Sequence, residues 1–76
     1  MKELLEYIAK SLVDFPEDVY VTESESERAC VLELHVNESD MGKVIGKQGR
    51  IAKSIRAVMK AAASRANKRV VVEIVQ

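Results

Sequence analysis

The segment best suited to bind a ligand is the four-residue loop Gly46-Lys47-Gln48-Gly49. Two glycines three positions apart permit backbone angles that other residues resist, and they bring no side chain that would keep a ligand from the backbone. Lys47 adds a positive charge, and Arg50 follows the loop directly. Unpaired amides at the start of a following helix, around residues 49–51, attract anions because they donate hydrogen bonds and the helix dipole adds positive charge. The pattern predicts a phosphate site.

A purely structural role is the alternative interpretation of the same glycines. Gly46 can end one helix and Gly49 can begin the next, while Lys47 and Gln48 are merely solvated. Two features favour phosphate binding. The loop is flanked by apolar residues between two predicted helices, and no acidic residue occurs anywhere from Lys43 to Arg69.

The residues that could support catalysis or metal binding do not form a recognisable set. His35 is the single histidine and lies on a predicted strand without a second ligand nearby. Cys30 alternates with core positions and is expected to be a small buried hydrophobic residue. Ser39 and Asp40 belong to a helix cap, so nothing brings them together with His35 as a catalytic group. We therefore predict a non-enzymatic protein with no metal and no cofactor.

Hydrophobic periodicity predicts the elements that position the loop. Apolar residues at helical spacing predict a first helix from residue 2 to Asp14, which Pro16 stops. Strands follow at residues 19–22 and 30–36, separated by a polar stretch at residues 23–27 that makes a turn and a ragged strand end. Asn37 or Ser39 caps a short helix over residues 40–45. A long helix then begins near Arg50 and ends near Asn67, and a last strand covers residues 69–75.

This order, α-β-β-α-α-β, predicts an α+β fold for a single domain over residues 1–76. The strands before and after the helix pair are expected to be parallel neighbours, joined by a right-handed crossover. The first strand pairs antiparallel with the second. The result is a three-stranded mixed sheet with three helices packed on one face.

Charge is divided unevenly along the chain although its net value is zero. Residues 1–40 hold three basic and eleven acidic residues, a net charge of −8, and residues 41–76 hold nine basic residues and one acidic residue, a net charge of +8. Such a division is typical of a face that meets a polyanion, and equally of two halves that attract each other or another copy of the chain. The one cysteine forms no internal disulfide, and neither a signal peptide nor a membrane span is expected. The predicted location is cytoplasmic.

The element order and the segment Val44-Ile45-Gly46-Lys47-Gln48-Gly49-Arg50-Ile51 resemble a type II KH domain, over essentially the whole chain. The size and the lead-in Asp40–Ile45 are similar to those of the small single-domain bacterial KH proteins of the KhpA family. The resemblance implies single-stranded RNA as the partner, with a GxxG loop that clamps about four nucleotides. It also implies a post-transcriptional regulator or RNA chaperone.

Carried over by position, the implied RNA-binding residues surround the GxxG loop. They are Gly42, Lys43, Ile45, Gly46, Lys47, Gln48, Gly49, Arg50, Ile51, Lys53 and Ser54. A narrow apolar groove is expected beside them, with Gly42, Val44 or Ile45, and Val70 or Val71, on its floor. Asn67, Lys68 and Arg69 are expected on its opposite rim. No aromatic residue is close to the loop in sequence, so weak binding without a stacking platform is expected.

Protein interaction is the competing function. The family implies a homodimer, or a heterodimer with a second KH-containing RNA-binding protein, and the first helix offers Tyr7 and Phe15 for such contacts. Lys53, Arg56 and Lys60 are expected opposite the apolar stripe of the long helix, as a solvated face that either stays free or extends a phosphate track.

Overall fold

The computed structural model describes residues 1–75, which form an α+β fold in the predicted order. The helices are α1 (Lys2–Leu12), α2 (Met41–Ile45) and α3 (Arg50–Arg65), and the strands are β1 (Tyr20–Glu25), β2 (Cys30–His35) and β3 (Val70–Val75). Short 3-10 turns occur at Pro16–Asp18, Glu38–Asp40 and Lys47–Gly49.

The sheet has the strand order β1-β2-β3 and confirms the predicted topology. β1 pairs antiparallel with β2, and β2 pairs parallel with β3 from Cys30↔Val70 to His35↔Val75. The parallel pair requires the chain to return across the sheet between β2 and β3, and α2 and α3 make that return. The loop between α2 and α3 therefore lies at the carboxyl end of β2.

One face of the sheet carries the core. Cys30, Leu32 and Leu34 alternate on β2 as buried residues, and Val72 joins them from β3. The helices cover this face with buried side chains from each: Leu5, Ala9, Val44, Ile55 and Met59. None of the helices within residues 1–75 covers the opposite face, where His35 stacks on Tyr20 with ring centroids 4.2 Å apart.

Several predicted element ends differ from the structure by one to three residues, those of α1 and β1 among them. α1 ends at Leu12 rather than Asp14, because Val13 is already extended at φ −104° and ψ 161°. β1 begins at Tyr20 and continues to Glu25, so residues 23–25, predicted as part of a turn and a ragged strand end, are regular strand residues that pair with β2. Backbone hydrogen bonding to a partner strand overrides the low strand propensity of these polar side chains.

Candidate nucleic-acid interface

The loop between α2 and α3 has a backbone that only certain residues accept. Gly46 adopts φ 75° and ψ 173°, a region essentially restricted to glycine. Gln48 and Gly49 follow with φ 55° and 72°, both left-handed. A Cβ added to Gly46 would lie 2.6 Å from Cγ1 of Ile51, whereas one added to Gly49 would meet nothing within 4 Å. Gly46 is thus required for packing as well as for conformation.

The amides available to an anion differ from those that the sequence suggested. Gly49 donates its N–H to the carbonyl of Gly46 at 3.1 Å, and Arg50 donates to the carbonyl of Lys47. These two groups are used within the turn and are not free for a ligand. Within residues 1–75, the amides of Lys47 and Gln48 donate no backbone hydrogen bond. The donors at the loop tip are therefore the two residues between the glycines.

Lys43, a predicted RNA contact, is engaged by two carboxylates. Its Nζ lies 3.2 Å from Oδ2 of Asp14 and 4.0 Å from Oδ1 of Asp40. Asp40 is 1% exposed and accepts hydrogen bonds from the amides of Asp14 and Phe15 at 3.2 and 3.0 Å. From the sequence, Asp40 is only the start of a short helix, but the structure gives it a second function. It fastens the end of α1 to the beginning of α2.

The first turns of α3 divide the predicted RNA contacts between two sides of the helix. Arg50, Ile51 and Ser54 face α1, where they border an apolar depression. Lys53 lies on the other side with Arg56, whose Nε donates to the carbonyl of Val72 at 3.2 Å. The row of Lys53, Arg56 and Lys60 therefore flanks the buried stripe and follows the edge of β3. The prediction that this row lies opposite the core stripe was wrong.

The expected floor and far rim of the groove also need correction. Val44 is fully buried in the core and lines no surface. Gly42 and Ile45 stay accessible on α2, Val70 is half-buried and Val71 is exposed. Lys68 and Arg69 follow the carboxyl end of α3, and that helix has 16 residues. At about 1.5 Å per residue they lie roughly 24 Å from the loop, so they mark the far end of the helix rather than a facing rim.

The described chain is similar over its whole length to one family. The sequence model of the KhpA/KhpB family, KH domain, matches residues 2–74. The chain belongs to this family. Relatives named RNA-binding protein KhpA are 68% identical in Clostridium perfringens and 67% identical in Clostridium acetobutylicum, each over 75 residues that cover 99% of this chain and 100% of the relative. The relative of that name from Listeria monocytogenes is 47% identical over 76 residues, all of both chains. No solved structure is significantly similar.

Membership of the KhpA/KhpB family confirms the resemblance and the fold inferred from the sequence. Within residues 1–75, no helix is long and apolar enough to cross a bilayer. The family match covers the loop and both flanking helices.

The free edge of β3 adds backbone groups beside the cationic row. Arg69 directs its carbonyl to Cys30 of β2, at 2.8 Å. Because alternate residues of a parallel strand direct both backbone groups to the same side, Val70, Val72 and Ile74 direct theirs away from β2. The Arg56 hydrogen bond to Val72 agrees with this assignment. An edge of donors and acceptors thus runs alongside α3.

A second surface of this KhpA/KhpB-type domain is apolar and lies on the other side of α3. It is lined by Leu4, Tyr7, Ile8 and Leu12 of α1 and by Ile51, Ile55 and Val58 of α3. Tyr7 is 72% exposed and Val58 is 48% exposed. Tyr7 is among the contacts predicted from the sequence, but Val58 was missed because its helical position predicts a core residue. Helical spacing alone does not distinguish the centre of an apolar stripe from its rim.

One group of possible metal ligands occurs among residues 1–75, made of Glu23, Glu25 and Cys30 at the hairpin. The Cys30 thiol donates to Oε2 of Glu23 at 3.3 Å. Burial, and then the adjacent Glu23 carboxylate, raise the pKa of Cys30 above its ordinary value. The thiolate is the metal ligand, so a raised pKa makes coordination by Cys30 less favourable. This cluster gives no basis for a metal site.

Proposed function

We propose that this chain binds single-stranded RNA and that the loop Gly46–Gly49 holds a phosphate of the bound strand. The observation that carries the proposal is the pair of free amides at Lys47 and Gln48, next to the Lys47 ammonium and with no acidic residue in the loop. Charge-assisted hydrogen bonds from amides and a cation match phosphate oxygens. The names of the relatives, which are RNA-binding proteins, support the same class of ligand.

Single strands fit the neighbouring surface better than a duplex. Unpaired bases can turn their edges toward the free backbone groups of β3 while their phosphates follow the loop and α3. The β3 edge itself carries no aromatic residue, and Tyr20 stacks on His35 on the far face of the sheet. Base recognition then depends on hydrogen bonds and shape, which makes a single domain a weak binder.

A weak, sequence-tolerant clamp suits a post-transcriptional regulator or RNA chaperone that visits many RNAs. A free, buried thiol at Cys30 is in keeping with a reducing compartment. We place the activity in the cytoplasm, where such RNAs are exposed.

The decisive variant replaces the two loop-tip residues, Lys47→Asp with Gln48→Asp. Both positions keep their backbone, because Asp tolerates the left-handed φ of 55° at residue 48. The two positions then change by three charge units, from a positive to a negative pair that repels phosphate, and affinity for a fluorescent randomised ten-nucleotide RNA falls by more than about tenfold in an anisotropy titration at low salt. Lys2→Asp with Ser11→Asp, on α1, makes the same charge change away from the loop and keeps the parental affinity. Equal affinity of the loop variant and the parent would refute the proposal.

Self-association is a second proposed function, favoured by the apolar surface between α1 and α3. The face contains almost no polar group, so burying it against the same face of a second copy removes apolar area from water. The family, described by two members, KhpA and KhpB, is consistent with pairing between KH proteins. We commit to a homodimer through this face, with a KH-containing partner as the alternative occupant.

Sedimentation velocity across a concentration series tests the homodimer. The parent should show a dimer that dissociates on dilution, and Tyr7→Ser with Val58→Ser should be monomeric at every concentration. The matched control is Tyr20→Ser, an exposed aromatic on the opposite face of the sheet. A parent that stays monomeric throughout contradicts the homodimer and leaves the heterodimer as the alternative.

A further inference from the structure

The far end of α3 carries a basic depression that the loop does not include. It has a volume of about 610 Å³ and lies between the last turns of α3 and the beginning of β3. Its lining includes four cations, Arg28, Lys60, Lys68 and Arg69, and no acidic residue. The ion pairs within residues 1–75 engage only the N-terminus and Lys43 as cations. All four charges are therefore available to an external anion.

Three separate elements hold these cations in place. Asn67 follows the end of α3 with φ 57°. Its amide donates to the carbonyl of Ser64, and the amide of Lys68 donates to the carbonyl of Ala63. These hydrogen bonds fix the turn from which Lys68 and Arg69 project. The carbonyl of Arg69 accepts from Cys30 and anchors the turn to β2. Arg28 comes from the hairpin, where Ser26 and Ala29 close the loop by backbone and side-chain hydrogen bonds. The charges converge on a backbone that is already ordered.

The neighbouring depression on the hairpin side shows where an anion is excluded. It shares Arg28, Lys68 and Arg69 but is also lined by Glu25 and Glu27. These carboxylates repel phosphate, so an anion is directed to the side that faces α3. On that side Lys60 continues into the row of Arg56 and Lys53, which leads toward the Gly46–Gly49 loop.

We infer that this depression is a second phosphate site, which holds a downstream or upstream phosphate of the same RNA strand that the loop clamps. The inference rests on the proposed function, because it assigns a longer footprint to the same ligand. The two sites are separated by roughly 24 Å along α3. Because a stacked strand advances about 3.4 Å per nucleotide, a strand that stays stacked between the two sites needs about seven nucleotides to connect them, more than the four of a KH clamp.

Affinities for a randomised four-nucleotide RNA and a randomised ten-nucleotide RNA test the inference in the full chain. A ten-nucleotide strand offers about seven registers for a four-nucleotide clamp, so about sevenfold tighter binding arises from statistics alone. The parent protein should gain more than this statistical factor in affinity when the RNA is lengthened from four to ten nucleotides. In Arg28→Ala with Lys60→Ala the gain should fall back to about sevenfold, with affinity for the four-nucleotide RNA unchanged. The salt dependence for the longer RNA should become shallower by about 0.7 for each phosphate that the variant no longer neutralises.

The control is Lys2→Ala with Lys10→Ala, which removes the same charge from α1 and should keep the full gain of the parent. If the parent gains only about sevenfold, or if the depression variant equals the parent, the second site is overturned while the loop clamp stands. If neither RNA binds the parent, the proposed function fails and this inference fails with it.

Discussion

The two glycines of the loop have different physical requirements. Gly46 lies in a backbone region that only glycine accepts. In addition, the side chain of Ile51 occupies the space that a Cβ at position 46 would need. Gly49 needs only a left-handed backbone and has open space beside it. Sequence reasoning identified both glycines as a pair. Only the packing of Ile51 shows that they are unequal.

The stability of two alanine variants measures this difference. Gly49→Ala should lower the free energy of unfolding by about 1–2 kcal/mol, the cost of a left-handed residue with a Cβ. Gly46→Ala carries a conformational cost of that kind and adds an overlap with Ile51, worth about a further 1–3 kcal/mol. Urea denaturation of both variants gives the comparison, and Gly42→Ala, where a Cβ meets nothing within 4 Å, is the control. Equal losses for Gly46 and Gly49 would contradict the packing account.

Two of the amides that the sequence suggested as donors, those of Gly49 and Arg50, are bonded within the loop. The amides at the start of a helix are unpaired in general, so Gly49 and Arg50 were natural candidates. In this loop a 3-10 turn forms first and uses both amides internally. A turn of three residues leaves no periodic trace in the sequence, so its hydrogen bonds are visible only in the structure.

Among the helices and strands, Asp40 connects α1 to α2 and to the Gly46–Gly49 loop that follows. Its buried carboxylate accepts from two amides that follow α1, while its backbone precedes α2 and the loop. An acid at a helix N-terminus is usually a solvated dipole partner, and the sequence offered no sign that α1 ends beside it. This contact joins residues 25 and 26 positions apart.

Removing that carboxylate should loosen the attachment of α1 to α2. Asp40→Ala leaves two part-buried amides without their acceptor, and we expect a loss of about 2–4 kcal/mol in the free energy of unfolding. Chemical denaturation measures the loss. The exposed neighbour Glu38→Ala should change stability by less than about 0.5 kcal/mol. A loss at Asp40 no larger than at Glu38 would show that the buried hydrogen bonds do not hold the helices together.

The helices and strands themselves were largely predictable, because each has a clear apolar period. The parallel pairing of β2 with β3 followed from the helix pair between them and was confirmed. The side of α3 on which Lys53, Arg56 and Lys60 lie was not predictable. It depends on the rotation of α3 about its own axis over the sheet. That rotation is set by the four residues that α3 buries, Ala52, Ile55, Met59 and Ala63.

At the scale of the whole molecule, the two oppositely charged halves of the sequence become two regions of the fold. The basic half forms α2, α3 and the segments around them, and the acidic half forms α1, β1 and β2, with Arg28 as its contribution to the basic side. Arg28 comes close to Lys68 only because of the hairpin and the pairing of β2 with β3. Charge counts along the sequence therefore did not indicate that Arg28 belongs to the basic depression.

This arrangement predicts that RNA binding weakens steeply with salt. Each phosphate neutralised releases counterions, and the logarithm of affinity for single strands should fall with the logarithm of salt concentration by about 0.7 per contact. Contacts at the loop and at the distal depression together give a slope of about −1.4 or steeper. Anisotropy titrations with the ten-nucleotide RNA at several salt concentrations measure it. An affinity independent of salt would exclude phosphate as the main point of contact.

The most direct test of a phosphate site at the loop follows the backbone amides while a four-nucleotide RNA is added to ¹⁵N-labelled protein. If the tip of the loop holds a phosphate, the amide resonances of Lys47 and Gln48 shift most, and those of Gly49 and Arg50, already bonded within the turn, shift less. Binding with unchanged resonances at Lys47 and Gln48, or with the largest shifts on the open face of the sheet around His35, would contradict it.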